Sequence, residues 1–311
     1  MDPELVAALA GVPKADFSDP AAARAHVTAS VRAKKVEVEG IDRLKVEDRL
    51  IPGPDGGPDV PVRIYTPIGV EGPLPAALYF HSGGFVVGSV EAEHADAAGF
   101  ALAADAVVIS VDYRLAPENP YPAGLEDCYA ALVWAAGNAE ELGIDATRIA
   151  VSGSSAGGGL SAALCLLARD RGGPAICFQL LLIPELDDRL DTPSMLASVD
   201  TPMWNKPLAE ISWRYYLGED RGPDVPIYAA PARARTEDLA GLPPAYVQTA
   251  EHDPLRDEGL LYALKLLQAG VPVEIHQYAG TFHGSYVIRA AAVSVRQVEE
   301  MRAALRRALR G

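Results

Sequence analysis

The stretch that decides the fold is RIAVSGSSAGGG, residues 148–159. Residues 148–152 predict a short buried strand, and residues 158–169 predict a helix. Between them, Gly153 and Gly157 permit a tight bend and a close helix–strand approach that a Cβ would obstruct. A serine at such a corner projects its hydroxyl away from the sheet, beside the positive end of the following helix. Ser155 is therefore our candidate nucleophile.

Two other interpretations of this stretch compete with the nucleophile. The pattern G-x-S-x-G also occurs by chance, and Ser155 could simply cap the helix that follows. A glycine-rich turn can cradle phosphate, but neither Gly-Lys-Ser/Thr nor G-x-G-x-x-G occurs at this turn. The nucleophile hypothesis therefore depends on a base, an acid and an anion hole elsewhere in the chain.

Length and composition limit the class of protein. The 311 residues can form one large α/β domain or two small ones with an ample core. The formal net charge of −15 repels a phosphate backbone, so we expect a small-molecule substrate and no nucleic acid. No apolar stretch reaches membrane-spanning length, and residues 1–4 lack the basic start of a signal peptide.

The cysteines bear on the compartment. Cys128, Cys165 and Cys177 are odd in number and lie in apolar surroundings. Free buried thiols in a reducing compartment explain them better than a disulfide framework, so we expect a cytoplasmic protein. The composition leaves a homodimer open. No cluster of ligands has zinc spacing, and we expect neither a metal nor an organic cofactor.

The hydrophobic pattern changes along the chain. A turn over residues 52–58 joins two strands into an antiparallel pair, and later apolar runs suit parallel strands buried on both faces. The eight predicted strands are residues 45–50, 60–65, 76–80, 106–111, 148–152, 178–183, 245–249 and 273–278. The helices between and after them are residues 91–104, 125–142, 158–169, 254–269 and 293–309.

Two regions fall outside this alternation. Residues 1–40 look helical and either cover a groove or form a loosely attached arm. Residues 185–238 are rich in proline, aspartate and aromatic side chains and show no clean period. We interpret this insertion as a lid over the carboxyl ends of the strands, where ligands bind in open α/β sheets. The alternative is a structural excursion with ordinary packing aromatics.

A base is the first requirement. His26 and His94 lie on predicted helices among polar neighbours, where we expect them to be solvated, and His276 lies within a strand. His283 follows the last strand in a loop, from which a histidine can reach a serine on a neighbouring corner. A surface loop histidine is the alternative. The chain order serine, acid, histidine of α/β-hydrolases favours His283 as the base.

The acid should follow the preceding strand, and Asp253 does so. Asp253 stands before Pro254 and is also a good N-cap residue for the next helix. One carboxylate fills both roles with difficulty, so Glu251 and Asp257 remain alternatives. The acid would hold the imidazole in the correct tautomer and stabilise its cation.

The anion hole is indicated by residues 81–85, His-Ser-Gly-Gly-Phe, after the predicted strand 76–80. Consecutive glycines let backbone N–H groups face a ligand, although a flexible turn has the same composition. The N–H groups of Gly83 and Gly84, joined by that of Ala156, could hold a tetrahedral oxyanion.

With these stretches in place the chain resembles the hormone-sensitive-lipase-like family of α/β-hydrolases, chiefly bacterial carboxylesterases. Residues 81–84 are similar to the family's His-Gly-Gly-Gly, and residues 153–158 to its Gly-Asp-Ser-Ala-Gly-Gly. Residues 113–118, 253–258 and 283–284 also match family stretches. The resemblance implies an eight-stranded, mostly parallel sheet with helices on both faces and a helical cap.

The resemblance also assigns parts and roles. It implies a catalytic domain over residues 45–184 and 239–311, with a cap made of residues 1–44 and 185–238. It implies a triad of Ser155, Asp253 and His283 acting on short- to medium-chain acyl esters. The acyl chain would lie between Phe85 and cap aromatics. We take those aromatics to be Trp204 and Trp213.

This chain departs from the family pattern at two positions. Ser82 replaces a glycine, which would narrow the mouth of the anion hole or add a hydroxyl there, and Ser154 replaces an aspartate. Tyr113, Arg114 and Glu118 we interpret as a structural, ion-paired loop away from Ser155. An amidase, lactonase or acyltransferase on the same triad is an alternative function. A non-catalytic small-molecule receptor is another.

Overall fold

Eight strands form one sheet in the computed structural model, which describes residues 1–9, 16–34, 37–218 and 222–310. The strand order is β1-β2-β4-β3-β5-β6-β7-β8. β1 and β2 form an antiparallel pair, β2 is antiparallel to β4, and the pairs from β4 to β8 are parallel. The strands are β1 Leu44–Ile51, β2 Val60–Pro67, β3 Leu74–Phe80, β4 Val107–Val111, β5 Ile144–Ser154, β6 Phe178–Leu182, β7 Ala245–His252 and β8 Val273–Phe282.

The helices cover both faces of this sheet. The core on one face joins side chains of α4, α6 and α9, and the core on the other joins α3 and α10. The helices are α1 Pro3–Ala8, α2 Pro20–Lys34, α3 His94–Ala104, α4 Ala123–Gly137, α5 Ala139–Leu142, α6 Ala156–Asp170, α7 Pro193–Ala197, α8 Lys206–Leu217, α9 Arg256–Gln268 and α10 Ala292–Arg310. The expected eight-stranded, mostly parallel sheet with helices on both faces is confirmed.

The central strands alternate between the two cores. In β3, Ala76 and Leu78 point to the core under α4 and α6, whereas Ala77 and Tyr79 point to the core under α3 and α10. All seven residues of β3 are buried. A strand buried on both faces reads as a continuous apolar run, which is why the sequence located it.

Several element boundaries differ from the sequence expectation, among them those of β5, α4 and α3. β5 begins at Ile144, since its polar first half pairs Ile144 with Leu74 before a register shift. The single helix expected over residues 125–142 is divided at Asn138, whose side-chain amide donates to the Trp134 carbonyl oxygen, 2.8 Å away. α3 begins at His94.

The described part of the insertion between β6 and β7 contains two α-helices, α7 and α8, that its irregular composition concealed. The side chain of Thr192 accepts a hydrogen bond at the start of α7, and that of Asn205 does so at the start of α8. Each cap is followed by a proline in the first turn, the combination that starts helices. None of the described helices is long and apolar enough to cross a membrane.

Candidate active site

Ser155 occupies a strained turn between β5 and α6. Its φ is +57°, a region that non-glycine residues rarely adopt and that strand-to-helix nucleophile turns require. The Ser155 N–H donates to the Leu182 carbonyl oxygen at 2.8 Å, which ties the turn to β6. A Cβ on Gly157 would lie 2.0 Å from the Phe80 carbonyl oxygen. The glycine therefore lets the turn pack directly on the end of β3.

Three side chains from separate parts of the sheet edge meet beside this turn. His283 Nε2 lies 3.0 Å from Ser155 Oγ, and His283 Nδ1 lies 2.8 Å from Asp253 Oδ2. Ser155, Asp253 and His283 are 2%, 1% and 7% exposed. A carboxylate only accepts hydrogen bonds, so Nδ1 carries the hydrogen and the Nε2 lone pair faces the hydroxyl. Such a chain can take a proton from a serine and hold an imidazolium.

Asp253 uses its two oxygens separately. Oδ1 accepts from the Leu255 N–H at 2.9 Å, while Oδ2 faces His283. α9 begins at Arg256 with Leu255 as its N-cap, two residues later than expected. The interpretation of Asp253 as N-cap before Pro254 is therefore wrong, because a turn of irregular backbone separates Asp253 from the helix. The contact with His283 does not compete with capping.

The two alternative acids bind elsewhere. Glu251 accepts from the Gly280 N–H at 2.6 Å. Asp257 accepts from the Ser194 N–H at 2.7 Å and pairs with Arg256. Among the contacts of the described residues, neither carboxylate meets His283.

The segment after β3 presents free N–H groups. Gly83 has φ +120° and Gly84 has φ +55°. Within the described ranges, the N–H groups of Gly83, Gly84 and Ala156 have no hydrogen-bond partner. Phe80 pairs with Gly153 in the sheet, so this segment begins beside the Ser155 turn. Unpaired N–H groups at that place can stabilise an oxyanion.

Ser82 binds a carboxylate on the loop before α3. Its hydroxyl donates a short hydrogen bond to the carboxylate of the half-buried Glu93, and its N–H donates to the same group at 2.7 Å. Tyr79 donates to the other carboxylate oxygen of Glu93. Burial raises the pKa of Glu93. The hydroxyl that Ser82 adds beside the candidate anion hole is therefore engaged by Glu93. That Ser82 narrows the mouth of the hole stays a prediction.

Residues around these turns take structural partners. Ser154 Oγ accepts from the Tyr286 hydroxyl at 2.9 Å. Arg114 pairs with Asp127, in accord with the ion-paired loop. Tyr113, expected to lie away from Ser155, stacks on His81 with ring centroids 4.1 Å apart and donates to the His81 carbonyl oxygen. The sequence did not indicate this support for the segment before Gly83.

Glu118 pairs with Arg24 of α2 at 2.7 Å. The Arg24 guanidinium also donates to the carbonyl oxygens of Val86 and Ala116, both at 2.7 Å. α2 is thereby attached to the chain just beyond Gly83 and Gly84. The sequence had left open whether residues 1–40 form a loose arm; the described part of α2 is held at this point.

The three aromatic candidates lie in different environments. Trp204 stands 5.8 Å from His283 between ring centroids, and a Cβ on Gly84 would lie 2.5 Å from its Cη2 atom. Phe85 stacks on Tyr216 at 3.9 Å, and Trp213 is fully buried beside it. Trp204 therefore contacts the turn residues themselves, whereas Phe85 and Trp213 belong to the core behind them.

Three other histidines that the sequence analysis considered lie in different environments. His26 is exposed, as expected. His94 is half-buried with Nδ1 2.9 Å from the Tyr65 hydroxyl, so the expectation that it is solvated is wrong. Tyr65 on β2 approaches the start of α3, a contact between residues far apart in sequence. His276 pairs with Glu274 and Glu300 on the surface.

The fold and this arrangement define the class of α/β-hydrolases. A family model described as alpha/beta hydrolase fold matches residues 77–287. The chain is 44% identical over 271 residues to Carboxylesterase NlhH of Mycobacterium tuberculosis, covering 85% of this chain and 84% of that protein. It is 46% identical over 253 residues to Esterase LipI of the same organism, covering 80% and 77% of the two chains.

Solved structures agree with these relatives. The structure titled Bacterial Heroin Esterase superposes with a TM-score of 0.96 at 50% identity, covering 100% of this chain and 98% of that one. The chain belongs to the hormone-sensitive-lipase-like family of α/β-hydrolases. It is a serine carboxylesterase, a carboxylic-ester hydrolase that acts on small esters.

Proposed function

We propose that Ser155 is the nucleophile of this esterase, with His283 as general base and Asp253 as the residue that orients it. The single observation that carries the proposal is the buried chain of contacts from Ser155 Oγ through His283 to Asp253, at 3.0 and 2.8 Å. Nucleophile and base within hydrogen-bond reach, with the base oriented by a third group, are the signature of covalent catalysis.

The reaction follows from these contacts. His283 Nε2 takes the hydroxyl proton as Ser155 Oγ forms a bond to the ester carbonyl carbon, whose oxygen becomes an oxyanion. The N–H groups of Gly83, Gly84 and Ala156 stabilise that charge. Collapse of the intermediate breaks the bond to the alcohol oxygen, which takes the proton from His283. Water, deprotonated by the same imidazole, then attacks the acyl carbon. The bond to Ser155 Oγ breaks, Ser155 takes the proton back from His283, and the acid is released.

We propose that the substrates carry short to medium acyl chains. The close approach of Trp204 to both Gly84 and His283 leaves restricted room beside the reacting carbonyl, which supports this choice. Phe85 and Trp213 would pack behind this side of the acyl pocket, in the core. Relatives are named for heroin and as an arylesterase, so aryl esters belong among the substrates to be tested.

We propose that residues 1–44 and 185–238 act together as the cap over a catalytic domain of residues 45–184 and 239–311. Support comes from an apolar cluster that joins both regions to the segment after Gly84. Its buried members are Phe17, Val86, Val87, Met195, Trp204, Leu208, Ala209 and Leu255.

We also propose a cytoplasmic location and a homodimer. The buried free thiols of Cys128 and Cys165 suit a reducing compartment. Leu261, Leu264 and Leu267 are 51%, 48% and 45% exposed on α9, beside the edge strand β8, and a second copy of the chain would cover them. Sedimentation should give a dimer that Leu264→Glu dissociates. A wild-type monomer at micromolar concentration would refute the dimer.

The test of function is hydrolysis of p-nitrophenyl esters from acetate to decanoate by the wild type and by Ser155→Ala. We expect the highest kcat/KM at acetate to hexanoate and a loss in kcat of at least about 10⁴ in the variant. Ser154→Ala, one residue away, is the matched control and should retain activity. Amides, lactones and acceptor alcohols in the same assay test the amidase, lactonase and acyltransferase alternatives.

A further inference from the structure

A buried carboxyl group that the reaction above does not use lies directly behind the Ser155 turn. Glu185 follows β6, and its N–H donates to the Ser155 carbonyl oxygen at 3.0 Å. Its side chain is fully buried, with Oε1 3.1 Å from Ser212 Oγ on α8. Among the described residues, the other oxygen, Oε2, has no hydrogen-bond partner.

Ser212 connects this carboxyl group to the candidate anion hole. Ser212 Oγ lies 2.8 Å from the carbonyl oxygen of Gly84, whose N–H is one of the proposed oxyanion donors. A hydroxyl has one hydrogen, and a carbonyl oxygen only accepts. When Ser212 donates to Gly84, Glu185 must therefore supply the hydrogen between itself and Ser212. Both hydrogen bonds exist together only when Glu185 is protonated.

The surroundings of Glu185 favour that protonated form. The pKa of Glu185 is raised to about 8, chiefly by burial; the Ser212 contact lowers it and the charge of Asp253 contributes to the rise. Among the described residues, Glu258 on α9 and Tyr216 on α8 also interact electrostatically with it. Within the described part of the chain, no lysine or arginine is hydrogen-bonded to Glu185. Ionisation would leave a carboxylate that takes the Ser212 hydrogen away from Gly84.

We propose that Glu185 is a positioning residue: its protonated carboxyl group directs the Ser212 hydroxyl onto the Gly84 carbonyl oxygen and so holds the Gly84 N–H ready for the oxyanion. The inference rests on the proposed function, since it needs Gly84 to act in the reaction. Gly84 has φ +55° and no side chain to fix it, and the hydrogen bond to α8 restrains its backbone. The same bond connects the cap to the reaction centre.

The test is the pH dependence of kcat and KM for p-nitrophenyl acetate from pH 6 to 10, corrected for spontaneous hydrolysis. The wild type should lose kcat as the pH rises through about 8, where Glu185 ionises, with little change in KM. Glu185→Gln donates permanently through its amide, so its kcat should stay level over the alkaline range. Ser212→Ala lacks the hydroxyl between Glu185 and Gly84, and its kcat should be about tenfold lower at every pH. This loss is smaller than the 10²–10³-fold loss in kcat that follows removal of an oxyanion donor itself.

Glu258→Gln is the matched control. Glu258 is also buried, with a pKa raised well above its usual value by burial, but it accepts from the N–H groups of Leu186 and Asp187 and does not contact Ser212. Its variant should keep the wild-type alkaline decline. Melting temperatures and circular dichroism establish that each variant is folded.

Two results would overturn the inference. One is a Glu185→Gln variant that is folded and shows the same alkaline decline as the wild type. The other is disappearance of the decline in Glu258→Gln, which would assign the titration to that group. Either result leaves the proposed function intact if Ser155→Ala is inactive, whereas an active Ser155→Ala refutes the proposed function itself.

Discussion

Asp253 faces His283 with one carboxylate oxygen, 2.8 Å from Nδ1, and its second oxygen accepts from the backbone N–H of Leu255. The backbone contact fixes the carboxylate plane, so the imidazole is oriented by a group that is itself held in place. This arrangement distinguishes Asp253 from its two acidic neighbours along the chain and leads to the first prediction.

Asp253→Asn should lower kcat by about 10³–10⁴, because an amide presents the wrong hydrogen-bonding pattern to Nδ1 and permits the wrong tautomer. Glu251→Gln and Asp257→Asn are the matched controls and should stay within about threefold of the wild type, since their partners are Gly280 and Ser194. Steady-state kinetics on p-nitrophenyl acetate measure all three. A normal kcat in Asp253→Asn would show that another residue orients His283.

The two tryptophans should respond differently to truncation. Trp204→Ala should raise kcat/KM for octanoate relative to acetate by about tenfold, because one extra carbon in a fitted apolar pocket is worth 10- to 200-fold. Trp213→Ala should instead lower the free energy of unfolding by about 3–5 kcal/mol, since Trp213 is 0% exposed within the core. Ester-panel kinetics and urea unfolding separate these effects. A chain-length preference that Trp213→Ala shifts and Trp204→Ala leaves alone would reverse the assignment.

Arg24 should control how firmly α2 is held against the segment after Gly84. Arg24→Ala removes the donors to Val86, Ala116 and Glu118, and we expect KM for p-nitrophenyl hexanoate to rise several-fold with kcat changed less. Glu118→Gln keeps the two backbone contacts of Arg24 and should have a smaller effect, as expected for an exposed ion pair. Equal effects of the two substitutions would show that the ion pair, and not the backbone contacts, holds α2.

Glu185 should also make stability depend on pH. Burial raises the pKa of its carboxyl group from 4.5 to about 8 in the folded protein. The stability that its proton contributes is therefore complete below about pH 4.5, declines as the pH rises and is lost once the pH passes the folded value. Glu185→Gln cannot ionise and does not lose this stability. The free energy of unfolding of the variant minus that of the wild type should therefore be larger at pH 9 than at pH 5.

Urea unfolding at the two pH values measures this change, with the exposed Glu299→Gln as a surface control. No relative gain for Glu185→Gln between pH 5 and pH 9 would contradict the raised pKa.

The parts of the molecule that local pattern determines could be predicted from the sequence. The buried parallel strands are visible as apolar runs, and the turn over residues 52–58 marks the antiparallel pair before them. The Ser155 turn is encoded by glycines within a few residues of the serine. The proximity of His283 to Ser155 could also be predicted, because His283 follows the last strand and the carboxyl ends of parallel strands share one edge of the sheet.

The parts that depend on distant partners could not be predicted in this way. The partner of the Ser82 hydroxyl is Glu93 on the following loop, 11 residues away. The attachment of α2 depends on Arg24 reaching Glu118, 94 residues away. Buried carboxyl groups such as Glu185 carry no local signal, since an acidic residue in a proline-rich insertion looks solvated until the packing is known.

The most direct test of the account is covalent labelling with paraoxon, followed by peptide mass spectrometry. The attacking oxygen forms a bond to phosphorus as p-nitrophenolate leaves, which mimics the first step on an ester. We expect one diethylphosphoryl group per chain, on Ser155, and a loss of esterase activity in proportion to the labelling. The His283→Ala variant should be labelled more slowly than the wild type. A label on a different residue, or full labelling with activity retained, would contradict the central claim.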